Sequence, residues 1–202
     1  FLLGTQFAML RRDFARMTGR KPCVRQNSRR VLVTMGGADP ENATSLVIEA
    51  LSSLDVVAQC AVVLGAANRH RSDIVEVTAK YGKRMRVCHD VPSLRRLMRW
   101  ADIIVSAAGT TSWEAAFMGL PMVTIVLAEN QVLIADALSK HGVSLDLGDY
   151  RSVDAGAIAG AVQLLLDDTE RRQRMAIRAV TLVDGFGADR VAKELESLTG
   201  DQ

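Results

Sequence analysis

Apolar residues arrive in two rhythms along this chain, and the rhythms alternate. Continuous runs such as "RRVLVTM" (Arg29 to Met35), "VAQCAVVLG" (Val57 to Gly65) and "ADIIVSA" (Ala101 to Ala107) read as strands covered on both faces. So do "RMRVCHDV" (Arg84 to Val91) and "PMVTIVLA" (Pro121 to Ala128), with "GVSLDLG" as a shorter last strand. Between them the spacing changes to that of a helix. Ala43, Leu46, Val47, Ala50, Leu51 and Leu54 lie on one face, and further helices are predicted over 73–81, 93–100, 111–118 and 131–141. Three more close the chain, over 153–166, 169–182 and 188–198. Strand and helix in alternation predict an α/β domain, a doubly wound Rossmann-like parallel sheet.

That architecture points to particular loops. Ligands of open parallel sheets bind outside the carboxyl ends of the strands. The loops to consider are therefore Gly36 to Pro40, Gly65 to Arg71, Cys88 to Pro92, Ser106 to Ser112 and Leu127 to Gln131.

The loop "SAAGTTSWE" (Ser106 to Glu114) is crowded with small side chains before a helix. Free amides at the start of a helix, with no Cβ atoms in the way, suit a diphosphate; a plain tight turn is the other reading. Gly109 is expected to supply backbone angles closed to other residues. Thr111 and Glu114 also fit a capping box, in which Glu114 only returns to the Thr111 amide. Alternatively Glu114 faces a ligand and accepts hydrogen bonds from ribose hydroxyls. In "MGGADP", Gly36 and Gly37 let the main chain approach phosphate or sugar, while Asp39 is placed to cap the next helix with Pro40 at its first position. In "LAENQ", Asn130 is a helix cap or, with Gln131, a pair of neutral amides for sugar hydroxyls.

Composition narrows this further. The chain has 202 residues, 49% hydrophobic and 24% charged, with a formal charge of +2. That balance gives no reason to expect nucleic acid. The Arg11-Arg12, Arg29-Arg30 and Arg95-Arg96 pairs read as solvated faces. No apolar run reaches the ~18 residues of a membrane span, so stable membrane insertion is not expected. Cys23, Cys60 and Cys88 have neither disulfide nor zinc spacing, which fits a reducing, cytoplasmic setting. The glycines do not form G-x-G-x-x-G and the second strand ends in Gly65 rather than an acid, which argues against a nicotinamide dinucleotide. No cofactor and no metal are expected. His70, His89 and His141 make no catalytic constellation with a nucleophile; His89 alone falls at the ligand edge.

Taken together, "VLVTMGGADPENAT", the run "VCHDVPSLRRLMRWADIIVSAAGTTSWEAAFMGLPMVTIVLAENQ" and "DGFGADRVAKEL" resemble the carboxy-terminal half of a bacterial nucleotide-sugar hydrolase family. These are the UDP-2,4-diacetamido-2,4,6-trideoxy-β-L-altropyranose hydrolases of pseudaminic acid synthesis, with the related spore-coat polysaccharide proteins. The opening "FLLGTQFAMLRRDF" is similar to that family's interdomain segment. The family is similar in fold to GT-B glycosyltransferases such as the N-acetylglucosaminyltransferase of peptidoglycan synthesis. The resemblance implies an interdomain segment over 1–28, a UDP-sugar-binding domain over 29–202, and an amino-terminal domain upstream as its partner. It implies that the loop with His89 and Val91 meets uracil through the backbone, and that Ala108, Gly109, Thr110, Thr111 and Ser112 hold the diphosphate. Glu114 would bind the ribose, with Gly36, Gly37, Asn130 and Gln131 near phosphates and sugar. The family's catalytic histidine belongs to the upstream domain, so no catalytic residue is assigned in this chain. A GT-B transferase domain and a non-catalytic Rossmann-like module are the competing readings.

Overall fold

In the computed structural model, which describes residues 2, 4–15, 22 and 24–199, the apolar runs become six parallel strands in one sheet. They are β1 (Arg30–Thr34), β2 (Gln59–Leu64), β3 (Met85–His89), β4 (Ile103–Ala107), β5 (Met122–Val126) and β6 (Ser144–Asp149). The order across the sheet is β3-β2-β1-β4-β5-β6. The direction of winding therefore reverses between β1 and β4, where Val31 to Thr34 pair with Ile103 to Ser106.

Nine α-helices are described: α1 (Arg12–Ala15), α2 (Ala43–Ser52), α3 (Arg71–Ala79), α4 (Arg95–Trp100), α5 (Thr111–Phe117), α6 (Val132–Lys140), α7 (Ala155–Asp167), α8 (Thr169–Leu182) and α9 (Gly187–Thr199). Alternate strand residues supply two cores. Val31, Val33, Val62, Ile103 and Val105 face Val47, Leu51, Ile74, Ile158 and Val162 of α2, α3 and α7. Leu32, Ala61, Ile104 and Met122 face Met98, Ala115, Leu138 and Ala179 of α4, α5, α6 and α8. The sheet is thus covered on both sides, as continuous apolar strands require. None of the described helices is long and apolar enough to cross a membrane.

Two buried charges fix the entry to β1. Asp102 accepts hydrogen bonds from the Arg29 and Arg30 amides at 2.8 and 2.9 Å and from Arg25 Nη1 at 2.8 Å. Arg172 of α8 has 0% of its surface exposed. Its guanidinium donates to the Leu165 and Leu166 carbonyls at the end of α7, to the Arg25 and Gln26 carbonyls, and to Thr169 Oγ1. One side chain thereby satisfies the orphan carbonyls of a helix end and the irregular backbone leading into the sheet.

The opening segment also packs on the domain. Phe14 of α1 is fully buried in the second core, and the Ala8 carbonyl approaches Gly187 so closely that a Cβ there would lie 2.2 Å away. Of the six arginines expected on solvated faces, Arg11, Arg30 and Arg95 are engaged. Arg30 lies over the Trp100 ring at 6.0 Å, Arg95 donates to the Asp13 carbonyl at 3.3 Å, and Arg11 donates to the Pro92 carbonyl in the loop after β3. Cys23 lies outside the described residues; Cys60 and Cys88 are free thiols.

Candidate functional site

The sheet order places two small-residue loops on either side of the reversal between β1 and β4, which is where open α/β sheets leave a crevice. The loop after β1 holds Gly36, Gly37 and Asp39. Gly36 has φ +84°, which explains its residue type, whereas Gly37 does not. The Asp39 carboxylate is buried and accepts from the Ala43 and Thr44 amides at 2.9 and 3.0 Å. Asp39 therefore caps α2 as expected, but from four residues ahead of Ala43, and Pro40 lies in a turn outside the helix. A carboxylate already occupies those amides, so an anion finds no seat at the start of α2.

The loop after β1 is backed by the loop after β2. A Cβ on Gly65 would lie 2.3 Å from the Gly37 carbonyl oxygen, and Ala67 N donates to that oxygen at 3.2 Å. Gly65→Ala therefore forces backbone apart. We expect a loss of about 1–3 kcal/mol, the usual range for overpacking, with a lowered melting temperature and a displaced Gly36-Gly37 loop. An alanine variant that melts with the parent would show that the loops do not press together.

The loop after β4 behaves differently from the one after β1. Ala108 N donates to the Ile125 carbonyl at 3.1 Å, Gly109 N to Ala107 at 2.8 Å and Ser112 N to Gly109 at 3.0 Å. Among the described residues the amides of Thr110 and Thr111 have no hydrogen-bond partner. Two free donors thus sit beside the crevice. Ser112 is fully buried and its hydroxyl donates inward to the Ala107 carbonyl at 3.3 Å. Ala108 is buried against Val126 and Ala135. Gly109 is not in the left-handed region, contrary to the expectation from its type, and a Cβ there would meet nothing within 4 Å. Its smallness leaves open space above the turn.

Glu114 does not close a capping box: no side-chain hydrogen bond caps α5, and its carboxylate receives nothing from Thr111. Its side chain is 12% exposed and its nearest cation is Arg11, with Nε 3.7 Å from Oε1. Burial raises the Glu114 pKa above the ordinary carboxylate value; Arg11 pulls it down and Asp13 pushes it up.

At the other loops, His89 ends β3 exposed, Asp90 takes φ +53°, and Val91 is half-buried against the second core. Gln131 Oε1 accepts from the Leu127 amide at 2.9 Å, so Gln131 rather than Asn130 stabilises the turn after β5. Asn130 is exposed. His70 reaches the Pro40 carbonyl at 3.2 Å, while His141 lies exposed after α6. Beneath the crevice runs a polar row across adjacent strands: Thr34, Ser106, Thr124 and Asp146. Thr124 Oγ1 donates to Asp146 at 3.1 Å, while the buried Ser106 hydroxyl has no partner among the described residues. Burial pushes the Cys60 thiol up to about 12, which makes it inert. No group of metal-ligating side chains occurs among the described residues. Arg11 was not legible as part of this edge, because nothing in its local sequence marks it.

Residues 30–195 match the family model described as glycosyltransferase family 28 C-terminal domain. The spore coat polysaccharide biosynthesis protein SpsG of Bacillus subtilis is 26% identical over 205 residues, covering 98% of this chain and 56% of that protein. An uncharacterized protein of Methanocaldococcus jannaschii, MJ1062, is 28% identical over 136 residues, 65% of this chain and 28% of its own length. This chain thus spans little more than half, or less, of these curated relatives. Among solved structures, MurG of Acinetobacter baumannii superposes with a TM-score of 0.71 at 15% identity, covering 96% of this chain and 55% of that one. The spinosyn rhamnosyltransferase SpnG, complexed with thymidine diphosphate, gives a TM-score of 0.64 at 23% identity, over 86% of this chain and 46% of its own. These likenesses place the fold among the carboxy-terminal halves of GT-B proteins.

Proposed function

Because the chain belongs to the family of glycosyltransferase family 28 C-terminal domains, we propose that it is the nucleotide-sugar-binding half of a GT-B enzyme and that its nucleotide is UDP. The observation that carries this reading is the edge formed by the loops on either side of the β1–β4 reversal. It has open backbone at Gly36, Gly37 and Gly109, two unpartnered amides at Thr110 and Thr111, and the largely buried Glu114 carboxylate one turn further on. Free amides suit the diphosphate. A carboxylate suits the ribose hydroxyls, which donate to it. Asn130 borders the same edge with an amide for the sugar, Gln131 offers only its Nε2 because its Oε1 is bonded to the Leu127 amide, and the backbone around His89 and Val91 borders the base.

In this reading the two amides stabilise negative charge that grows on the diphosphate as the glycosidic bond breaks. The second half of the cleft, an amino-terminal domain of the whole protein, supplies the acceptor site and the base. The whole protein then transfers a sugar during assembly of a surface polysaccharide, which the name of the Bacillus subtilis relative supports. A second reading replaces the acceptor by water. The combined loops "MGGADP", "SAAGTTSWE" and "LAENQ" favour it, since they resemble nucleotide-sugar hydrolases.

The nucleotide reading is tested by thermal unfolding of this chain with UDP, ADP, GDP and NAD. A ligand that binds only the folded state adds about 1.4 kcal/mol at ten times Kd. We expect UDP alone to raise the melting temperature; equal shifts with all four, or none, would sink the reading. Incubating the full-length protein with a UDP-sugar and no acceptor separates the two activities: free sugar appearing with UDP identifies the hydrolase.

A further inference from the structure

The segment ahead of the family-matched region does more than lead into the domain. Arg11 Nη1 donates to the Pro92 carbonyl at 3.0 Å, in the loop after β3, while its Nε lies 3.7 Å from the Glu114 carboxylate on α5. Arg11 thereby spans the two walls between which base and ribose are placed in the functional reading. The residues after it are tied down on the same side. The Asp13 carboxylate accepts from Ser93 Oγ, the Asp13 carbonyl accepts from Arg95 Nη1 at 3.3 Å, and Phe14 is buried in the core. The backbone that carries Arg11 is therefore held in place.

We propose that Arg11 is a positioning residue of the nucleotide site, holding the Glu114 carboxylate to the loop after β3 and so completing the ribose subsite from outside the matched domain. The proposal rests on the UDP reading of the crevice. Its physical basis is the asymmetry of the pair. The Arg11 side chain is 63% exposed and that of Glu114 only 12%. Exposed ion pairs are worth little because water already solvates both partners. Here one partner has lost most of its water, so its cation decides whether it stays ionised and where it points. Among the charged groups identified around Glu114, Arg11 favours the carboxylate and Asp13 opposes it. An ionised Glu114 accepts both ribose hydroxyls; a protonated one keeps a single good acceptor. Arg11 thus acts on the ribose through Glu114.

The test is a double-mutant cycle of Arg11→Ala and Glu114→Gln, with Arg11→Lys as the conservative variant, read as UDP affinity by calorimetry across pH and as thermal unfolding without ligand. We expect Arg11→Ala to weaken UDP about 3- to 10-fold near neutral pH, which corresponds to the ordinary strength of one such electrostatic contact. Affinity of the Arg11→Ala variant begins to fall at a higher pH than in the parent, because Glu114 then protonates more readily. Arg11→Lys recovers part of the loss. In the Glu114→Gln background, Arg11→Ala changes affinity less than about 2-fold. Equal losses in both backgrounds, or an alanine variant that binds like the parent, overturn the proposal. Failure of the UDP reading looks different: parent and variants alike bind no UDP. Any stability coupling then belongs to a structural ion pair, and the positioning role falls with the reading.

Discussion

Replacing Arg172 with methionine lowers the free energy of unfolding by about 3–5 kcal/mol, a large share of the 5–15 kcal/mol that a domain commonly has. The methionine stem fills much of the space, so the loss is not mainly a cavity. It comes from the Leu165 and Leu166 carbonyls, which lose their donor, and from those of Arg25 and Gln26, which keep only the Ser28 and Thr169 hydroxyls. A buried acceptor left unpaired costs about 1–3 kcal/mol. Those two hydroxyls, and the partial exposure of the Arg25 and Gln26 carbonyls, keep the sum below four full penalties. Burial lowers the Arg172 pKa while the field of Asp102, Asp168 and Asp167 raises it. Asp102 therefore loses a favourable cation as well. Arg172→Lys retains the charge, but three donors on one nitrogen cannot reach carbonyls arranged around a planar fork, so we expect an intermediate loss. Urea unfolding followed by circular dichroism gives both values. A methionine variant within about 1 kcal/mol of the parent would mean that water replaces the guanidinium without penalty.

Glu114→Gln weakens UDP binding by about 10- to 100-fold, the range of one or two hydrogen bonds to a charged acceptor. The substitution is informative because no capping box is at stake: Glu114 receives no bond from Thr111, so the helix has nothing to lose. Its effect on stability has the opposite sign and depends on pH. The folded-state pKa of Glu114 is raised, so between the ordinary glutamate value and that raised value the folded chain binds more protons than the unfolded chain. Stability contributed by this group is therefore present at acidic pH and lost as pH rises through that window. The glutamine variant loses this slope and melts at or above the parent at neutral pH. In the proposed ribose role affinity runs the other way, because the ionised form is the better acceptor for the hydroxyls. An unchanged UDP affinity in the glutamine variant would remove Glu114 from the site.

The fold could be read from the sequence because two periods alternate in it. Leu46, Val47, Ala50 and Leu51 can share one face only as a helix, and "IIVSA" can be buried on both faces only as a strand. The edge proposed for the ligand follows from strand direction, and the small residues at Ala108 and Gly109 lie on it. Side-chain partners were less visible. Ser112 reads like a phosphate ligand, yet its hydroxyl is bonded inward, because burial leaves it no water and the Ala107 carbonyl is near. Arg172 sits in the polar run "TERRQR", which hides a signal that was present. It lies three, four and seven residues before Met175, Ala176 and Ala179, all buried, so it belongs to the inward stripe of α8. Arg11 carried no such signal, since its partner stands on a helix far along the chain and only the tertiary fold joins them.

The strand order also has a consequence for how the chain is made. β1 ends up in the middle of the sheet, yet it is synthesised before all the others, and its second neighbour, β4, comes after β2 and β3. Until Ile103–Ala107 has left the ribosome, the half-sheet β3-β2-β1 presents Val31 to Thr34 as an open edge. That edge has no proline, no bulge and no inward charge over Val31 to Thr34 to discourage pairing with another chain. Nascent chains that pause between β3 and β4 therefore expose an apolar template that the finished molecule never shows. In this architecture the strand at the centre of the sheet, beside the proposed nucleotide site, is also the strand most vulnerable during translation.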